Sequence, residues 1–164
     1  MRKLYRFLLR LKFWQYVLMF FIINLALNFA WGQMPFTDYS NPEADAIEGF
    51  AAQFVMGVLL VPFVETLACQ AMPVGCGCII FKHWQLGRFR FRLYAWPLML
   101  FSAAIFALNH SFHWSYMVMT FVVGISLAFS YYVARKRKPG GIVTVGIIHA
   151  CMNLTVLLLE TFNI

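Results

Sequence analysis

Glu65, His110 and His149 are ionisable side chains set inside stretches that otherwise read as lipid-buried helix. A carboxylate or imidazole at bilayer depth costs about 3 kcal/mol on insertion scales, so such residues mark a functional interior more often than packing. Phe106 lies four residues before His110, and Asn153 four residues after His149. Each pair therefore shares one helix face. An imidazole and an amide stacked one turn apart can hold a ligand oxygen or a water, and Glu65 can serve as general base toward that water. The chemistry is activation of water for attack on an amide. Each residue taken alone has a plainer reading. A single intramembrane Glu also suits proton-coupled transport or an interhelical hydrogen bond, and a single His often packs. Phe106 is one of 18 phenylalanines. The conjunction carries the argument, since every charged or imidazole residue well inside a span belongs to one of these patterns.

The elements that must position these groups are apolar helices. Of 164 residues, 62% are hydrophobic and 12% charged, with a mean hydropathy of +0.74. Soluble globular chains carry about 45–50% apolar and 25% charged residues, so the composition excludes an ordinary soluble domain. At roughly 20 residues per crossing, the length suits an all-α, polytopic bundle of about five spans, one integral membrane domain over residues 1–164.

The thirteen Lys and Arg fall into three clusters. They are Arg2, Lys3, Arg6, Arg10 and Lys12; Lys82, Arg88, Arg90 and Arg92; and Arg135, Lys136, Arg137 and Lys138. Asp38, Glu43, Asp45 and Glu48 share one loop, leaving Glu65 and Glu160 elsewhere. The positive-inside rule makes the basic clusters and the N-terminus cytoplasmic. The net charge of +7 then reports orientation and contact with anionic lipid. Nucleic acid is excluded as a partner, because the cations flank spans and form no single face. Cys69, Cys76, Cys78 and Cys151 lack zinc-site pairing, imply no disulfide framework, and suit close helix approach.

Residues 1–12 read as a basic amphipathic helix lying in the headgroup plane. Spans are expected at about Phe13–Ala30, from Gly49 onward, and at about Leu93–His110, Tyr116–Ala134 and Gly141–Glu160. The second carries Pro62 and Glu65 and reaches Pro73 and Gly75-Cys76-Gly77-Cys78, where regular helix should break or re-form. Trp114 and Tyr116 read as interfacial anchors; His83 and His113 read as loop residues. Counted at 1.5 Å per residue, His110 falls about 27 Å from Arg92, toward the non-cytoplasmic side. Glu65 and His149 fall in the cytoplasmic half, so a single site requires shifted or tilted helices.

The order Glu65-Thr66-x-x-x-Gln70, Phe106-x-x-x-His110, His149-x-x-x-Asn153 resembles the CAAX protease and bacteriocin-processing family of intramembrane proteases, which includes the type II CAAX prenyl endopeptidases. The resemblance spans about Val61–Asn153. The family's first motif usually reads Glu-Glu-x-x-x-Arg with a proline three residues upstream, the place of Pro62. Thr66 and Gln70 stand where the second Glu and the Arg are expected. A neutral Thr66–Gln70 hydrogen-bonding arrangement is the expected replacement, cheaper to bury than the ion pair. The resemblance implies an endopeptidase in the cytoplasmic (inner) membrane of a bacterium, acting on a peptide or protein substrate that is lipidated in the best-known cases. It makes Glu65 the base, with His110 helping to hold the water. His149 and Asn153 then polarise the scissile carbonyl and stabilise its oxyanion. Thr66, Gln70 and Phe106 support. Glu65, His110 and His149 are also candidate ligands for a divalent metal such as zinc, with a metal-free water as the other option. Two further readings stay open: a non-catalytic scaffold on the same fold, such as an immunity or regulatory factor, and a small proton-coupled transporter, which no inverted repeat supports.

Overall fold

The computed structural model describes residues 2–34, 47, 49–83 and 92–162, all the ordered elements being helical. The acidic loop residues Asp38, Glu43, Asp45 and Glu48, with Arg88 and Arg90, lie outside the described residues. A short helix α1 (Arg2–Arg10) breaks at Leu11 and Lys12 into α2 (Phe13–Gly32). The Lys12 amide donates to Gln15 Oε1 at 2.9 Å and so starts α2. Next comes a long helical segment, α3, whose apolar part covers Phe50–Ile80. Helices α4 (Arg92–Leu108), α5 (Trp114–Ala134) and α6 (Gly141–Phe162) complete the chain.

Four of these, α2, α3, α5 and α6, are long and apolar enough to cross a membrane. The expected third span is present as α4. The helix covers Arg92–Leu108 against the expected Leu93–His110. His110 lies beyond its end, in the turn that leads to α5.

The expected break near Pro73 takes another form. Helix continues from Phe50 to His83, but alternates: α-helix at Val61–Glu65 is flanked by π-helical stretches at Phe54–Leu60 and Thr66–Cys76. Pro62 stands in the first turn of the central α piece, where its missing N–H costs least, and Pro73 sits in the second wide stretch. The wider ladder accommodates a residue that regular α-helix rejects, and helix continues past it. Such π segments concentrate at functional sites.

The core lies between α3, α4, α5 and α6, with α2 outside against α5 and α6. Fully buried Met99, Leu127, Val145 and Ile148 fill it. Close approach is set by glycine at two places. A Cβ on Gly124 of α5 would lie 3.1 Å from the Ala103 backbone of α4. One on Gly146 of α6 would lie 2.6 Å from the Phe63 ring of α3. The Tyr16 hydroxyl of α2 donates to the Ser130 carbonyl of α5 at 2.8 Å.

Candidate active site

Glu65 closes the central α piece of α3 and opens the second π stretch. Its two carboxylate oxygens face two imidazoles. Oε1 lies 3.6 Å from His110 Nε2 and Oε2 lies 3.6 Å from His149 Nε2. The side chains are 18% (Glu65), 14% (His110) and 8% (His149) exposed, so the carboxylate is the most open of the three and His149 the most enclosed. Three distant segments thus meet at one point, as the single-site reading required.

His110 reaches that point from a turn, and several contacts fix it. Its Nδ1 lies 2.8 Å from the Phe106 carbonyl. A carbonyl only accepts, so Nδ1 carries the proton, and in the neutral ring the Nε2 lone pair points at Glu65. One residue earlier, Asn109 Nδ2 donates to Cys69 Sγ at 3.3 Å. The Ser102 hydroxyl donates to the Cys69 carbonyl. Cys69, read from sequence as a small packing residue, is therefore the point on α3 to which the end of α4 is pinned.

Phe106 is buried between both histidines. Its ring centroid is 4.6 Å from that of His110 and 5.6 Å from that of His149, the latter edge-on. Tyr116, expected at the interface, instead packs against His110 at 5.8 Å. Phe112 flanks His110 at 6.4 Å. His113, expected as plain loop, caps α5: its Nδ1 accepts from the Ser115 amide. A histidine just before a helix start with Ser two residues on was the available signal.

Thr66 and Gln70 do not form the expected replacement for a Glu–Arg pair. Both are fully buried, yet Thr66 Oγ1 and both amide atoms of Gln70 have no hydrogen-bond partner among the described residues, and the same holds for His149 Nδ1. The wide π turn spaces their backbones differently from an α turn, and the two side chains do not meet. Asn153 also differs from expectation. Its Nδ2 donates to the Gly57 carbonyl at 2.8 Å, tying α6 to the first π stretch of α3, and one N–H is left for a ligand.

Two imidazoles and a carboxylate are the right donor types for zinc. Each imidazole approaches a different carboxylate oxygen, and no group of three His, Cys, Asp or Glu among the described residues is placed to hold an ion. The acceptor nitrogen of His110 and the carboxylate facing it need a shared hydrogen-bond donor, a place for a water beside the pair.

Comparison with known proteins adds one match. The family model for type II CAAX prenyl endopeptidase Rce1-like proteins matches residues 47–155. No curated protein and no solved structure gives a significant match. The matched region contains Glu65, Phe106, His110, His149 and Asn153, and this family is one of intramembrane proteases. With its four membrane-length helices and more than half of its length matched, this integral membrane protein belongs to the type II CAAX prenyl endopeptidase Rce1-like family.

Proposed function

We propose that the chain is an intramembrane endopeptidase in which Glu65 activates a water for attack on a peptide bond. The observation that carries the proposal is the pair of 3.6 Å approaches of His110 and His149 to the two oxygens of one carboxylate. A water seated there donates one proton toward Glu65 and the other toward the lone pair of His110 Nε2. As its oxygen attacks the scissile carbonyl carbon, Glu65 takes the proton. His149 Nε2–H and the remaining Asn153 N–H are the donors available to the oxyanion. Collapse of the tetrahedral intermediate breaks the C–N bond, and the proton on Glu65 passes to the leaving amine. The second water proton then leaves the new carboxyl group for the amine, so the products are a carboxylate and an ammonium, with Glu65 restored.

The substrate class proposed is a peptide or protein presented at the membrane, lipidated peptides included, in the cytoplasmic (inner) membrane of a bacterium. The step uses no metal. The test is cleavage of membrane-inserted reporter peptides by the purified protein in H2 18O with a zinc chelator present. The expected result is one defined cut, one 18O in the new carboxylate, and a rate the chelator leaves unchanged. A rate lost to the chelator and restored by zinc would contradict the metal-free step.

The orphaned Thr66 and Gln70 favour a second reading, a non-catalytic membrane scaffold. Absence of any cut across a panel of peptides, with the protein folded, would select it.

A further inference from the structure

Two basic segments far apart in sequence are joined side by side in the fold. Arg137 is the joint: its guanidinium donates to the carbonyls of Leu8 and Leu11, at the end of α1, and lies 4.5 Å over the Tyr16 ring. Beside it the Tyr5 and Tyr132 rings meet at 6.1 Å, and Arg135 stacks on Tyr132 at 4.8 Å. Arg10 and Lys12 flank Leu11, while Lys136 and Lys138 flank Arg137. The bonds from Arg137 to Leu8 and Leu11 set these two basic stretches side by side, and the four flanking cations are exposed.

No carboxylate among the described residues balances them. Glu65 lies in the middle of α3, and Glu160 lies near the far end of α6, about 28 Å from Gly141 along the axis. The gathered charge calls for an external anion. The surroundings say which kind. Leu8 is buried against the bundle, whereas Leu4 and Phe7 on the same helix stay 52% and 53% exposed. A helix with one apolar edge docked and further apolar residues outward sits where acyl chains run past headgroups.

We propose that the notch between α1 and the α5–α6 loop binds one anionic phospholipid. Arg10, Lys12, Lys136 and Lys138 clasp its phosphate headgroup, and its chains pass along Leu4 and Phe7. The bound lipid then closes the same joint that Arg137 closes from within, holding the loop from which α6 and His149 start. The proposal is independent of the hydrolytic reading.

The test titrates the detergent-purified full chain with phosphatidylglycerol, phosphatidylcholine or inorganic phosphate and counts retained ligand by native mass spectrometry. Phosphatidylglycerol is expected to be retained and phosphatidylcholine lost. Arg10→Gln/Lys12→Gln and Lys136→Gln/Lys138→Gln should each weaken retention about twentyfold, from roughly fivefold per removed charge. The combined variant should weaken it by less than the product, because the four side chains share one headgroup. An Arg10→Lys control should retain lipid and verify that the fold is intact. Equal retention of the two lipids, full multiplicativity of the two pairs, or displacement of phosphatidylglycerol by equimolar phosphate would overturn the proposal.

Discussion

Phe106 lies between the two imidazoles, and its removal tests how far the site depends on packing rather than on polar contacts. Aromatic pairs contribute about 0.5–1.5 kcal/mol each beyond their buried area. Phe106→Leu keeps most of the volume and loses both ring contacts. The expected outcome is a melting temperature lowered by a few degrees and a hydrolysis rate lowered at least tenfold, read by thermal melts and reporter cleavage on the same sample. An unchanged rate would show that the histidines hold their places without the ring. Glu65, His110 and His149 were legible in the sequence because charge and imidazole are rare in apolar helix. Phe106 became legible only through its spacing to His110. The pinning by Cys69 and the contact from Tyr116 were not legible at all, since a thiol and a phenol in apolar helix look like packing or anchoring until the partner helix is in place.

Among the elements, α3 departs most from a regular reading. Two prolines and a Gly-Cys-Gly-Cys run suggested a break, and the chain answered with π-helical widening around Glu65, which sequence periodicity cannot register. Thr66 and Gln70 fall in that wide stretch, so a pairing inferred from α-helical spacing did not form. The boundaries of α2, α5 and α6 were legible to within two residues, because apolar runs end at Trp, basic or Gly residues. The boundaries of α4 were legible to the same precision, its end set two residues too far because His110, though polar, sits next to an apolar run. Contact between α3 and α6 depends on Gly146, three residues before His149. Gly146→Ala places a methyl 2.6 Å from the Phe63 ring, and overpacking of this kind costs about 1–3 kcal/mol. The expected outcome is a lower melting temperature together with slower cleavage at every pH. A variant as stable and active as wild type would show that the two helices part freely.

At the scale of the molecule, the depth mismatch seen by counting residues does not keep the three side chains apart. His110 lies about 27 Å from Arg92 and His149 about 12 Å from Gly141 by helical rise. Both nevertheless lie against the carboxylate of Glu65, so side chains of different counted depth converge on one point while the end of α5 stays packed on the start of α6 through Tyr131 and Gly141. The turn carrying His110 reaches Glu65 and gives the apolar bundle a partly open polar site, the requirement for water to reach it. The most direct measurement compares wild type with Glu65→Gln in proteoliposomes carrying a membrane-inserted reporter peptide. Gln preserves the shape and removes the base. The predicted result is an unchanged melting temperature with hydrolysis lowered by about 10²–10⁴. Cleavage by Glu65→Gln at the wild-type rate would contradict the account.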